Sequence, residues 1–260
     1  MNGLVCLICG QDRQERMTFR TLLSADSSPG FCRTCREKFV KIPQGHSCRL
    51  CGRDLGLMDE KFISGSVCTD CRRWEKSGGN GCFGRNIALY SYNDWMKEVI
   101  TTFKFRGDAA LAVGFRKEFR AAGRKIIGKD WRTHWERLRN GKHHPRETCV
   151  IVPMPLSGNR LKERGFNQAE VLAELIGEPV VPALCRIGGE RKQSKKNRRE
   201  RLESGENPFK LDEAFSEVLH GTKVLLIDDI YTTGATLRRA AAAFERADPK
   251  CVDSLTLIHG

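Results

Sequence analysis

Residues 224–236 read Val-Leu-Leu-Ile-Asp-Asp-Ile-Tyr-Thr-Thr-Gly-Ala-Thr. The solid apolar run at 224–227 is typical of a strand that is buried on both faces of a parallel sheet. Two adjacent acids, Asp228 and Asp229, end that run, and a turn rich in threonine and glycine follows them. Apolar residues at helical spacing come next, so the stretch predicts a strand, a turn and a helix in direct succession.

The turn has the chemistry of a phosphate site. Free backbone N–H groups at the start of the predicted helix, with the hydroxyls of Thr232, Thr233 and Thr236, form a cradle for one phosphate group. Gly234 allows the backbone to approach that group closely. The two aspartates suit the hydroxyls of an attached ribose and a nearby Mg²⁺. The alternative is a threonine-capped helix after a strand that merely ends in two acids.

Strands and helices alternate over the rest of the second half of the chain. We expect strands at 149–154, 180–186, 222–229 and 252–258, and helices at 166–176 and 237–247. Upstream, a strand at 88–92 precedes a helix at 95–105, and a second helix follows Gly107. The apolar face of the first of these helices consists of Met96, Val99, Ile100 and Phe103. This alternation predicts an α/β fold with a parallel sheet that is covered on both faces.

Cysteines dominate the start of the chain. Eight of the twelve form four Cys-x-x-Cys pairs, which are Cys6/Cys9, Cys32/Cys35, Cys48/Cys51 and Cys68/Cys71. Two such pairs close a tetrahedral, saturated zinc site of the structural kind, whereas a disulfide framework would need an oxidising compartment. We expect two zinc sites with sequential pairing of these eight ligands. The alternatives are an interleaved pairing, a ligand replaced by His46 or Cys82, or redox-active or free thiols.

Composition limits the class of protein. The 260 residues include 45 Lys and Arg against 32 Asp and Glu, a formal net charge of +13, which suits a polyanion or a phosphorylated ligand. No apolar run approaches the roughly 20 residues of a membrane span, and the first residues lack the pattern of a signal peptide. We therefore expect a soluble, cytoplasmic protein with no membrane insertion.

Residues 224–236 resemble the phosphoribosyl diphosphate (PRPP) loop of type I phosphoribosyltransferases. The wider pattern is similar to that of the ComF competence family, most of all its ComFC branch. The segments that carry this similarity are Phe103-Lys-Phe-Arg-Gly-Asp108, Val152-Pro-Met-Pro-Leu156, Arg160 with Lys162-Glu-Arg-Gly-Phe-Asn-Gln168, and Lys192-Gln-Ser194 through Arg201 to Asn207-Pro-Phe209. With the cysteine pairs they cover essentially the whole chain. The resemblance implies a double zinc ribbon at 1–82 and a parallel-sheet type I phosphoribosyltransferase-like domain at 83–260.

The resemblance also implies roles for individual residues. Asp228 and Asp229 would hold ribose hydroxyls, the turn at 232–236 the 5′-phosphate, and the loop at 156–164 corresponds to the family's pyrophosphate loop. The implied catalytic residues are Arg160, Arg164, Asp228 and Asp229, whose arginines offer forked donors to a diphosphate. The implied PRPP-binding residues are Leu156, Ser157, Asp228, Asp229, Tyr231, Thr232, Thr233, Gly234, Ala235 and Thr236. Mg²⁺ would accompany PRPP.

By the same resemblance, the protein serves DNA uptake in natural transformation. It would receive internalised single-stranded DNA and work beside a DNA-translocating ATPase. The expected nucleic-acid-binding residues are Lys104, Arg106, Lys192, Lys195, Lys196, Arg198 and Arg199. Residues 191–202 hold seven basic residues and one acid, which suits a nucleic-acid backbone, a mobile loop over the diphosphate or a plain solvated charge run.

Two other functions are compatible with these motifs. One is an active Mg²⁺-dependent phosphoribosyltransferase that uses PRPP and an unidentified base or amine acceptor. The other is a PRPP-responsive transcription regulator, which is disfavoured because the sequence shows no helix-turn-helix before the domain.

Overall fold

The structure is a computed structural model that describes residues 5–13, 30–43, 45–78, 81–105, 108–128, 149–187 and 207–260. Its strands, numbered in chain order, are β1 Ile63–Ser64, β2 Val67–Cys68, β3 Phe83–Ser91, β4 Cys149–Pro153, β5 Leu184–Arg186, β6 Phe209–Leu211, β7 Lys223–Tyr231 and β8 Cys251–His259. Its α-helices are α1 Arg33–Glu37, α2 Thr69–Lys76, α3 Asp94–Phe105, α4 Arg116–Ile127, α5 Gly158–Arg164, α6 Gln168–Glu174, α7 Ser216–Leu219 and α8 Ala235–Ala242.

The centre of the fold is a four-stranded sheet with the order β3–β8–β7–β4, and all of its neighbouring strands run parallel. Val224 of β7 lies opposite Val252 on one side and Val150 on the other. The predicted α/β class with a parallel sheet is therefore confirmed. Because parallel strands end at the same edge, the residues that follow β4 and β7 meet there.

Apolar side chains cover the sheet on both faces, as the alternation predicted. Val224 and Leu226 pack with Leu237 and Phe244 of the α8 region on one face. Alternate residues of β7 point to the opposite face, where helices α3, α4 and α6 lie. The predicted face of α3 is buried throughout, since Met96, Val99, Ile100 and Phe103 are each at most 6% exposed.

One predicted strand is largely wrong. Residues 180–186 form a strand only at β5, which pairs antiparallel with β6 in a separate two-stranded sheet. Val180 makes a single isolated bridge to Ile151 of the parallel sheet. Pro179 and Pro182 explain the interruption, because proline has no N–H to donate to a strand ladder.

The helix predicted at 166–176 begins later and is preceded by another helix. Asn167 caps α6 by accepting a hydrogen bond from the N–H of Ala169 at 3.1 Å, so Phe166 lies before the helix and packs on Phe103. Helix α5 occupies part of the loop predicted at 156–164, and Ser157 is its N-cap. At the end of the chain, α8 stops earlier than the predicted helix at 237–247, and a short 3-10 turn follows it.

The cysteine-rich segments pack directly against this sheet. Cys48 and Cys71 belong to the same buried cluster as Val224, whereas Cys6 and Cys35 belong to the cluster on the opposite face. Ile42 donates its N–H to the carbonyl of Leu89 in β3 at 3.0 Å, so this segment also lines the sheet edge. A domain boundary at residue 82 stays a prediction. None of the helices in the described ranges has the length and apolar character that crossing a membrane requires.

Candidate functional site

The two acids lie in the last part of β7, an interior strand. The N–H of Asp229 donates to Oδ1 of Asp228 at 2.9 Å, and Nζ of Lys104, at the end of α3, forms an ion pair with Oδ2 of Asp229. Asp229 is 7% exposed. Burial and the neighbouring charge of Asp229 raise the pKa of Asp228 to about 8. The raised pKa favours the protonated form of Asp228, and Lys104 pairs with the charge on Asp229.

Three arginines interact with this pair of acids or with one another. Arg160 and Arg164 belong to α5, which follows the neighbouring strand β4, and Arg186 belongs to β5. Arg164 of α5 is partly buried, donates to Oε1 of Gln168 at 2.7 Å and interacts electrostatically with Asp228 and Asp229. Burial and the nearby charge of Arg160 lower the pKa of Arg164. Arg186 also interacts electrostatically with Asp228 and with Arg160. The edge therefore combines two carboxyl groups with several forked cationic donors, as a ligand with both hydroxyls and phosphates requires.

The predicted phosphate turn connects β7 to α8. Thr232 and Thr233 are exposed, and the Thr233 hydroxyl accepts a hydrogen bond from the N–H of Ala235 at 3.4 Å. Gly234 caps the helix with a left-handed φ of 77°, and a Cβ there would collide with Arg238 and with the hydroxyl of Tyr231. Beyond Ala235, the first N–H groups of α8 have no partners within the helix, so they are available to an anion.

The structure brings most of the predicted ligand residues to one edge of the sheet. Leu156, Ser157, Arg160 and Arg164 follow β4, and the turn at 232–236 follows β7. Of the residues predicted to bind nucleic acid, Lys104 lies against Asp229 within this same site. The others, which are Arg106, Lys192, Lys195, Lys196, Arg198 and Arg199, lie outside the described residues. All of these assignments of function stay predictions.

Sequence reasoning missed two site residues, Arg186 and Gln168. Gln168 is buried and accepts a hydrogen bond from Arg164, and its signal in the sequence was its place at the end of the motif Lys162-Glu-Arg-Gly-Phe-Asn-Gln168. Arg186 ends β5 and lies two residues before the stretch at 188–206, which is outside the described residues. Its position beside a predicted phosphate-closing loop was the available signal.

The eight paired cysteines form two groups in the predicted sequential arrangement. One group is Cys6, Cys9, Cys32 and Cys35, and the other is Cys48, Cys51, Cys68 and Cys71. Within each group the sulfur atoms lie within 4.8 Å of one another. The Sγ atoms of Cys9 and Cys32 are 3.8 Å apart, and those of Cys51 and Cys68 are 3.7 Å apart. Tetrahedral zinc with bonds of about 2.3 Å places sulfurs about 3.8 Å apart, so both groups fit the ion.

Backbone donors favour the thiolate form that zinc requires. The N–H of Cys32 donates to Sγ of Cys6 at 3.2 Å, and the N–H of Cys68 donates to Sγ of Cys48 at 3.4 Å. Although burial opposes it, the backbone donors of Cys9, Cys32 and Ile8 lower the pKa of Cys6 to about 6. The second group is buried at every cysteine, whereas Cys9 of the first is exposed. Zinc at either group would be structural, since four protein ligands saturate it.

Comparison with known proteins identifies a domain family and several relatives. Residues 163–260 match the phosphoribosyl transferase domain family. The chain is 38% identical over 260 residues to competence protein ComFC of Bacillus subtilis strain 168, an alignment that covers 99% of this chain and 96% of that protein. The chain belongs to the ComFC family of competence proteins.

Two further relatives agree with the ComFC assignment. Competence protein ComFC of Streptococcus pneumoniae strain ATCC BAA-255 / R6 is 34% identical over 254 residues, which are 97% of this chain and 99% of that protein. Competence protein F of Haemophilus influenzae strain ATCC 51907 is 26% identical over 216 residues, covering 80% and 81% of the two chains. The sequence motifs predicted a ComFC-like competence protein with a phosphoribosyltransferase-type domain, and these matches confirm that prediction.

Proposed function

We propose that this ComFC-family protein binds PRPP together with Mg²⁺ at the carboxyl edge of the parallel sheet. One observation carries the proposal: two acids lie in the last part of an interior strand, a short turn leads from that strand to a glycine-capped helix start, and Arg164 lies within electrostatic reach of both acids. The acids can accept hydrogen bonds from ribose hydroxyls, and the neighbouring N–H groups can bind a phosphate. Together they suit a phosphorylated ribose.

Each part of the site would take a different part of the ligand. Asp228 and Asp229 would accept hydrogen bonds from the ribose hydroxyls, and the turn at 232–236 would hold the 5′-phosphate. Arg160 and Arg164, which follow the neighbouring strand β4, would bind the diphosphate with forked donors. Mg²⁺ would neutralise part of the diphosphate charge when it is bound.

We further propose that the protein handles single-stranded DNA during uptake and works beside a DNA-translocating ATPase. The support is the competence naming of the relatives and the net charge of +13. A single-strand backbone is bound mainly by such positive charge, and binding of this kind weakens as salt rises. The basic residues at 191–202 are the proposed contact.

An active phosphoribosyltransferase is the second candidate. The observation that favours it is the gathering of the four residues proposed as catalytic, Arg160, Arg164, Asp228 and Asp229, at the same edge of the sheet. Its transition state resembles an oxocarbenium ion, which positioned charges stabilise. Pyrophosphate release with an added acceptor separates this candidate from a site that only binds.

The test is PRPP binding by calorimetry in the presence of Mg²⁺, followed by an assay of pyrophosphate release with a panel of nucleobases and single-stranded DNA. We expect the Asp228→Ala/Asp229→Ala variant to bind PRPP at least about a hundredfold more weakly, because it loses the charged acceptors of two hydroxyls. An adjacent pair of exposed acids, Asp59 and Glu60, provides the control Asp59→Ala/Glu60→Ala. Unchanged PRPP affinity in the first variant contradicts the proposed site.

A further inference from the structure

The side chain of Trp74 connects the phosphate turn at 232–236 to the helix that carries part of the second cysteine group. Nε1 of Trp74 donates to the backbone carbonyl of Thr233 at 2.9 Å. Trp74 lies on α2, which begins directly after Cys68 and contains Cys71. Cys68 and Cys71 of the second group therefore lie at the N-cap and in the first turn of the helix that carries Trp74.

Trp74 also contacts Arg238, a residue of α8 that packs against Gly234 in the turn. Arg238 is 6% exposed, and its guanidinium carbon lies 4.6 Å from the centre of the Trp74 ring and 5.1 Å from that of Phe83. Nη1 of Arg238 donates to the hydroxyl of Tyr231 at 2.8 Å. Trp74 and Arg238 thus enclose the turn between β7 and α8, and Arg238 and Tyr231 leave no room for a side chain at Gly234.

The hydrogen bond to Thr233 has a direct consequence for anion binding. The Thr233 carbonyl and the Gly234 N–H belong to one planar, trans peptide group, in which they point in opposite directions. An indole donor that fixes the carbonyl therefore also directs the Gly234 N–H away from Trp74. Donors that are oriented before a ligand arrives raise its affinity, because binding then costs less ordering entropy.

We propose that the second cysteine group, when it holds zinc, positions the phosphate turn through Trp74 and thereby sets the affinity for the 5′-phosphate of the ligand. Trp74 is a positioning residue in this proposal, since it acts through the Thr233 peptide. The proposal rests on the proposed function, because it takes the same turn as the phosphate site.

The test compares Trp74→Phe with Trp95→Phe, using ribose 5-phosphate and inorganic pyrophosphate as separate probes. Phenylalanine keeps an aromatic ring beside Arg238 but has no N–H to donate. Trp95 is a matched control because it packs in the cluster on the opposite face of the sheet. We expect Trp74→Phe to bind ribose 5-phosphate roughly three- to tenfold more weakly, with unchanged pyrophosphate affinity, zinc content and melting temperature. Trp95→Phe should bind both probes as the unaltered protein does.

A second pair of variants separates the two cysteine groups. Cys71→Ser removes a ligand from the second group and Cys9→Ser removes one from the first. We expect each variant to lose about one equivalent of zinc. Ribose 5-phosphate affinity should fall in Cys71→Ser and stay unchanged in Cys9→Ser.

Two results overturn the inference in different ways. If the unaltered protein binds ribose 5-phosphate and Trp74→Phe binds it equally well, the proposed function stands and the role of Trp74 is wrong. If the unaltered protein binds neither ribose 5-phosphate nor PRPP, the proposed function fails and the inference fails with it.

Discussion

At the scale of single residues, the end of β7 is a charge-balanced carboxyl pair. Lys104 neutralises Asp229, and burial beside that charge keeps a proton on Asp228 at neutral pH. The sequence predicts that Lys104 binds nucleic acid because Lys104 and Arg106 alternate with Phe103 and Phe105, which places cations beside possible stacking rings. That role stays a prediction, and the ion pair of Lys104 with Asp229 becomes apparent only in the fold because the two residues are far apart in the sequence.

The protonated state of Asp228 leads to a pH dependence of ligand binding. A carboxyl group with a pKa of about 8 is protonated below that pH, whereas ribose hydroxyls and Mg²⁺ favour the ionised form. Binding should therefore release a proton, and PRPP affinity should rise from pH 7 and level off above the pKa. We expect an increase of roughly tenfold between pH 7 and pH 9, measured by calorimetry.

The control for this pH dependence is Asp228→Asn, which has no proton to release. It should bind PRPP weakly and equally over the same range. A flat profile in the unaltered protein would show that Asp228 is already ionised or does not touch the ligand.

At the scale of elements, the strand, turn and helix at 223–242 form the part of the fold that local pattern predicts best. The apolar run and the adjacent acids lie in the predicted strand, and the helix begins two residues before its predicted start at 237, because each of these features depends on neighbours along the chain. The strand predicted at 180–186 failed for the opposite reason. Apolar residues there favour a strand, but prolines at 179 and 182 prevent continuous pairing, and β6 supplies a partner from a distant segment.

The turn gives a prediction at this scale, through Gly234→Ala. Alanine is strained at a φ of 77°, and its Cβ collides with Arg238 and Tyr231, both of which are buried. We expect a loss of about 2–3 kcal/mol in the free energy of unfolding, together with the loss of ribose 5-phosphate binding. Denaturant titration and calorimetry measure the two effects.

Gly65→Ala is a matched control, because Gly65 has a φ of 61° but no neighbouring atom within 4 Å of the place that a Cβ would take. It should lose only about 1 kcal/mol and retain ligand binding. Equal losses of unfolding free energy and of ribose 5-phosphate binding in the two variants would mean that backbone strain, and not the packing of Arg238 on the turn, causes the effect of Gly234→Ala.

At the scale of the whole molecule, the two cysteine groups are part of the cores on the two faces of the sheet. Phe31 and Phe39 extend the first group into a set of aromatic contacts with Phe115, at ring distances of 4.9 Å and 5.3 Å. The second group packs with Phe83 and Leu226 on the other face. Zinc bound at these groups would therefore be coupled to the stability of the sheet.

Removal of zinc should lower the stability of the whole chain and not only of its first residues. We expect a zinc chelator to reduce the melting temperature by roughly 10 °C or more, because the cysteines that lose the ion lie in both cores. Circular dichroism at several wavelengths, with metal analysis, measures this, and added zinc should restore the original value. A chain that has lost its zinc and still melts at the same temperature would contradict this coupling.

The strand–turn–helix at 223–242, the two four-cysteine groups and the class of fold followed from patterns within short windows of sequence. A Cys-x-x-Cys pair, an apolar strand that ends in two acids and a glycine-capped helix start are each complete within a few residues, so no tertiary information was needed to find them. Pairing of the cysteines into two sequential groups also follows the chain order.

The remaining partners of the site depend on the order of the strands. Lys104, Arg186 and Trp74 reach Asp229, Asp228 and Thr233 across large sequence separations, because β8 is inserted between β3 and β7, and β4 pairs with β7. Such contacts arise when separate apolar faces are buried together, and the burial of those faces involves the whole chain at once. The contacts of Lys104, Arg186 and Trp74 with the candidate site were therefore apparent only from the tertiary structure.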